Sequence, residues 1–156
     1  MNKFLLFIFL ACSSNISLCQ IVYPYQDIKL EKPTDYSETE PLALSAAKFL
    51  LAAPFVESDV NRANALQFLS NWMTGIKVYQ FYLQGKVADI SDDRNVLSLY
   101  IAAMVKYTLE NKKEAVNPMT VEHNASKIVI AYCDDQKNNF KLRKKYRKLL
   151  ENNQPH

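Results

Sequence analysis

Glycine is almost missing from this chain: Gly75 and Gly85 are the only two in 156 residues. That scarcity argues against turn-rich β architectures and removes the glycine-rich loops that cradle phosphates. Histidine is equally scarce, with only His123 and the terminal His156. Neither an HExxH pattern, nor a CxxC, nor a His pair at ligand spacing occurs, so no metal site and no cofactor is expected. One-sided charge is lacking too. The formal excess is +3, and no nucleic-acid reader motif accompanies it, so nucleic acid is not an expected partner. The apolar fraction of 49% is that of an ordinary globular chain.

The strongest apolar run, at residues 4–11 (FLLFIFLA), follows Lys3 and precedes a polar stretch ending Ser17-Leu18-Cys19. A positive start, a short apolar centre and small residues before Gln20 read as a secretory signal peptide over residues 1–19. A lipoprotein cut before Cys12 is the rival, but Phe9-Leu10-Ala11-Cys12 is only an approximate lipobox. Cleavage before Gln20 leaves Cys133 as the single cysteine of an exported, periplasmic or extracellular protein. Packing, with no disulfide, must then hold the fold. A lone Cys133 reads as a small core residue and not as a nucleophile.

The mature chain divides into an extended arm at 20–38, a helical domain at 39–152 and a tail at 153–156. Tyr23-Pro24-Tyr25 and Pro33 favour extended backbone in the arm. Helix signals then recur at regular spacing. Thr39 and Pro41 start a helix over 40–53 that Pro54 ends, with Leu42, Ala46, Phe49, Leu50 and Ala53 inward and Ala43, Ala47 and Ala52 small enough for close approach. Ser58 or Asp59 caps a second helix that ends at Gly75. Ala65, Phe68, Leu69, Trp72, Met73 and Ile76 line one side of it, and Arg62, Asn64, Gln67, Ser70 and Asn71 take the surface. Residues 76–90 carry an aromatic run too short for a helix and read as an ordered connection that covers a bundle edge with one strand-like turn.

Residues 96–105 (VLSLYIAAMV) carry no charge and are apolar on most sides. Asp92 and Asp93 before the run, and Lys106, Lys112 and Lys113 after it, suit a helix dipole. A helix apolar all round is buried all round, so 93–110 is the expected centre of the bundle. It is too short to span a bilayer, which takes about 20 apolar residues. No transmembrane segment is expected in the mature chain. Asn117-Pro118 begins a further helix to 133, with Val121, Ala125, Ile128, Val129 and Tyr132 on one stripe. The last helix, 139–151, sets Leu142, Tyr146, Leu149 and Leu150 against six bases. The fold class is all-α: a single-domain bundle of about five helices behind an extended N-terminal arm.

Catalytic groups are few. Asp92-Asp93 and Asp134-Asp135 are paired carboxylates, but they sit where helices start or break, and capping explains them. His123 and Cys133 on one helix lie about 15 Å apart at 1.5 Å per residue, too far for a Cys–His pair. Asn124-Ala125-Ser126 matches a glycosylation acceptor but falls inside a helix. The uneven feature is the C-terminus, where residues 137–148 hold seven bases and no acid. A solvated helix face accounts for it; so does a surface for anionic lipid, polyanion or an acidic partner, with Lys141, Arg143, Lys144, Lys145, Arg147 and Lys148 as the contact residues.

Three segments, NALQFLSNWMTG at 64–75, LSLYIAAMVK at 97–106 and CDDQKNN at 133–139, together resemble a family of small, uncharacterised exported helical proteins of Gram-negative bacteria. The resemblance implies export and an all-helical fold; it brings no activity, cofactor or catalytic residue. The leading expectation is an exported, non-enzymatic module that binds a protein or envelope component. The alternatives are a peripheral binder of anionic surfaces through the basic helix, and a small enzyme whose site is assembled from Glu122, His123, Asp134 and Asp135.

Overall fold

The computed structural model describes residues 25–82 and 84–152. The expected signal peptide at 1–19, with Cys12 and Cys19, the first residues of the expected arm, the tail and His156 lie outside the described residues. Seven α-helices occur among the described residues: α1 (Pro33–Glu38), α2 (Glu40–Ala52), α3 (Val60–Gly75), α4 (Lys86–Ile90), α5 (Arg94–Glu110), α6 (Pro118–Asp134) and α7 (Lys144–Glu151). Short 3₁₀ turns add Tyr25–Asp27 and Gln136–Asn138, and no strand is present among the described residues. The all-helical class is therefore observed, with seven helices in place of about five.

The two additional helices come from segments read as extended or irregular. Pro33 does keep Lys32 extended (φ −115°, ψ 152°), but it also occupies the first helical position of α1, where its missing N–H costs nothing. The Asp35 carboxylate accepts the N–H groups of Glu31 (2.9 Å) and Lys32 (2.8 Å), which closes that start. The arm from 25 onward is thus a 3₁₀ turn and a helix, not an extended strand. In the connection, Gly85 takes φ 59°, a conformation that glycine adopts without strain, and α4 begins directly after it. The last helix starts at Lys144, later than residue 139, because Asn139 turns left-handed (φ 50°) and Arg143 is extended.

At the centre lies α5, packed against α2, α3, α4 and α6. Val96, Leu99, Tyr100 and the whole stretch Ala102–Val105 are essentially inaccessible. Asp93 sets its start by accepting Asn95 N–H (3.1 Å) and Val96 N–H (3.2 Å) through its side chain. Asp59 caps α3 and Asn117 caps α6 in the same manner. Ala43, Ala46, Ala47 and Leu50 form the buried face of α2, and these small residues let α2 come close to α5. Ala52, by contrast, is exposed.

Trp72 anchors the other side. It is fully buried, and its Nε1–H donates to the Tyr36 carbonyl at 2.9 Å. Tyr79 and Phe81 of the connection each lie 6.3 Å from the indole, and Tyr79 OH donates to Glu40 at 2.8 Å. The aromatic connection is therefore core cover, as its composition suggested, apart from Val78 and Tyr82, which stay exposed. No helix among the described residues is long and apolar enough to cross a membrane.

Candidate functional site on the C-terminal helix

At eight residues, α7 is shorter than the roughly 12–15 that an isolated helix needs in water, so its neighbours must hold it. Tyr146 (0% exposed) and Leu150 (1%) are its buried contacts, and Leu142 and Leu149 pack at the margin. A polar lock surrounds Tyr146. Its hydroxyl donates to Asp92 Oδ1 at 2.8 Å, and Lys145 Nζ donates to Asp92 Oδ2 at 2.6 Å. Arg143 donates to Asp93 Oδ2 at 2.6 Å and to the Tyr146 hydroxyl at 2.7 Å. Both cations also stand over the Tyr146 ring, 4.6 Å (Arg143) and 4.4 Å (Lys145) from its centroid. Arg147 pairs with Asp134 and reaches Glu151 at 3.6 Å.

These contacts set the charges of the lock. Hydrogen bonds from Lys145 and Tyr146 hold the Asp92 carboxyl below its ordinary value. Asp93 raises Arg143, Asp92 raises Lys145 and Asp134 raises Arg147, each through a hydrogen bond to the cation. Singly, such exposed pairs contribute about 0–1 kcal/mol. Together they fix one short helix on the turn between α4 and α5. Asp93 serves twice, capping α5 and holding α7.

Of the six bases expected to face a partner, Arg143, Lys145 and Arg147 are thus turned onto the protein's own carboxylates. Lys141, Lys144 and Lys148 are exposed and belong to none of the ion pairs among the described residues. Lys144 and Lys148, four residues apart, share one face of α7.

The residues considered for a dispersed active site do not converge. Glu122 and Asp134 belong to the same straight helix, α6, and are about 18 Å apart along it. Asp134 holds Arg147, and Asp135 caps the following turn by accepting Lys137 N–H. His123 is half-buried on α6. Burial pushes the Cys133 thiol up to about 12, so it stays protonated and unreactive at neutral pH. Among the described residues no group of three or more His, Cys, Asp or Glu side chains could hold a metal.

Sequence reasoning missed one buried polar cluster. Lys86 is only 3% exposed, and its Nζ donates to Ser126 Oγ at 3.3 Å. Ser126, 1% exposed, donates to the Glu122 carbonyl (2.9 Å), as does the Tyr100 hydroxyl (3.3 Å). Burial lowers the Lys86 pKa, and the nearby Glu122 charge offsets part of that effect. A serine beside a desolvated lysine is the chemistry of a nucleophile and its base. Here both heads are shut from solvent, so the pair ties α4 to α6. No periodic signal marks Lys86, which lies in the irregular connection.

Comparison of the chain with protein-family models, with curated proteins and with solved structures gives no match.

Proposed function

We propose that the protein is an exported, non-enzymatic helical module that binds an anionic component of the cell envelope, with the outer face of α7 and Lys141 just before it as its contact surface. One observation carries this reading. The inward cations Arg143, Lys145 and Arg147 are neutralised by Asp93, Asp92 and Asp134, while Lys141, Lys144 and Lys148 remain exposed outside every ion pair among the described residues. The helix is held in place by one set of charges and presents another. Lysine's compact charge suits headgroup phosphates approached through water. Export rests on the leader at 1–19, and binding is preferred to catalysis because the candidate donors on α6 lie too far apart to act together.

Each lysine near an anionic surface is worth about 1 kcal/mol, so three contribute about 3 kcal/mol, on the order of a hundredfold in affinity. Cosedimentation of the processed protein with phosphatidylglycerol vesicles, against phosphatidylcholine vesicles, measures this directly. Binding should favour the anionic vesicles, fall as salt rises, and disappear in Lys141→Glu/Lys144→Glu/Lys148→Glu. Undiminished binding by that variant, or equal binding to both vesicles, refutes the proposal. Capture of an acidic envelope protein through the same lysines, without vesicle binding, would assign the surface to a protein partner and refute the lipid reading.

A further inference from the structure

Arg62, assigned to the surface by the amphipathic pattern of α3, is 6% exposed. Its guanidinium donates to the Leu50 (3.0 Å) and Ala53 (3.3 Å) carbonyls at the end of α2, and Tyr132 and Asp59 offset part of the cost of burying it. Turning Arg62 inward leaves the solvent face of α3 without a single charge over its 16 residues. Val60, Ala63, Gln67, Asn71 and Thr74 run along that face in one stripe, all exposed. The chain is 22% charged, and every other helix among the described residues exposes at least one charged side chain. A solubilising surface has no reason to lack charge over this length; a contact surface has.

The relief of this face suits another helix. A groove of about 520 Å³ separates α3 from α5, with the half-buried Leu66 and Leu97 in its lining. A second, of about 290 Å³, separates α3 from residues 25–30. Gln67 and Asn71 border both, so the stripe is a ridge between two grooves, the form on which helices pack. A lipid headgroup or a charged partner would find no opposite charge along it. An uncharged glycan would find no ring to stack on, because Tyr25, Phe68 and Trp72 are all buried. A second copy of the same face fits. A carboxamide holds both a donor and an acceptor and can pair with its own kind, which an ammonium or a carboxylate cannot.

We infer that α3 is a self-association surface, on which two copies of the chain cross antiparallel about a two-fold axis at Gln67. The stripe is symmetric about that residue: Gln67 faces its own copy, Ala63 faces the partner's Asn71, and Val60 faces the partner's Thr74. The arrangement opposes the two helix dipoles. It also carries the charges that flank the start of α3 (Glu57, Asp59 and Arg94) to the opposite end from their own copies, and likewise Lys77 beyond its end. Sixteen residues at 1.5 Å each make a ridge about 24 Å long, and about two helix widths of contact cover on the order of 500 Å² per copy. A standard interface covers about 800 Å² per partner, so the dimer is weak, with Kd of about 10–100 μM. Because α7 packs on α4 and α6, the dimer leaves the α7 lysines free, and it does not depend on what they bind.

Analytical ultracentrifugation of the processed protein, from about 1 to about 500 μM, tests the assignment. A monomer–dimer equilibrium should appear in that range and, with no charge in the contact, should shift little with salt. Gln67→Glu and Gln67→Lys each set like charges face to face on the axis and should weaken the dimer about tenfold or more. An equimolar mixture of the two variants should associate again, because opposite charges then meet. Gln67 is exposed, so neither change should alter the circular dichroism spectrum, and Lys127→Glu on the outer face of α6 should leave the dimer intact. A protein that stays monomeric throughout the range overturns the proposal. So does association undiminished in both Gln67 variants, a mixture that remains monomeric, or growth beyond the dimer, which a closed two-fold contact forbids.

Discussion

Replacing Gly75 by alanine places a methyl group inside the Tyr36 ring. A Cβ built on Gly75 would lie 2.1 Å from the Tyr36 hydroxyl oxygen, 2.3 Å from Cζ and 2.4 Å from Cε1. Real Cβ atoms do not approach so closely, so the ring must swing away. In doing so it gives up the hydrogen bond from Tyr36 OH to the Leu30 carbonyl (3.0 Å), worth about 0.5–1.5 kcal/mol, and its contact with the last turn of α3. Overpacking of this kind costs about 1–3 kcal/mol. Alanine restores about 0.4–1 kcal/mol by narrowing the unfolded ensemble, since the backbone of Gly75 is helical and strain-free. The balance is a loss of about 1–3 kcal/mol, or a fall of roughly 2–12 °C in melting temperature for a chain of this size. Thermal unfolding followed by circular dichroism measures it. The decisive comparison is Tyr36→Ala with and without Gly75→Ala. With the ring gone, the alanine should be neutral or stabilising, while the Trp72 bond to the Tyr36 carbonyl survives because its acceptor is backbone. An equal cost of Gly75→Ala in both backgrounds would refute the steric argument.

Two further outcomes follow from charge. The Asp92 carboxyl is held below its ordinary value of 3.8, so its contribution to docking α7 is complete above that value and is lost as pH falls through the lowered folded one. Limited proteolysis across that range should release α7 before the rest of the chain, and Asp92→Asn should abolish the acid dependence; an unchanged dependence would exclude Asp92 as its source. Lys86 runs the other way. Its folded pKa is lowered, so the unfolded chain binds more protons between that value and 10.5, and stability rises with pH in that window. Relative to Lys86→Met, the wild-type chain should gain in urea midpoint on going from neutral pH toward 10.5, and a constant difference would show that Lys86 keeps its proton.

Much of the core was legible because its residues have no other use. Residues 96–105 carry nothing but apolar and small side chains, and they form the buried centre of α5. Asp59, Asp93 and Asn117 announce the starts of α3, α5 and α6 by side-chain chemistry acting within three residues. Contacts that depend on distant partners were not legible. Arg143 and Lys145 look like free surface bases until the chain brings Asp92 and Asp93 to them from some fifty residues away. Arg62 did leave a signal: one turn before Ala65 and two before Leu69, it continues the buried stripe toward Trp72, and its polarity alone argued for the surface. The helices α1 and α4 were hidden for a different reason. With six and five residues, they are too short to show a period, and only a proline at a first turn and a glycine before one mark where they begin.

The clasp between Tyr146 and Asp92 spans 54 positions of sequence, and it joins α7 to the threshold of the most buried helix. A growing chain that has already made α5 and α6 still lacks the partner for that threshold. The bundle is therefore completed only when α7 docks, and chain closure of this kind is slow compared with forming the helices themselves. Until α7 arrives, Ile90 and the start of α5 stay open to whatever else the nascent chain meets, and a chain cut short before residue 143 would remain in that unfinished state.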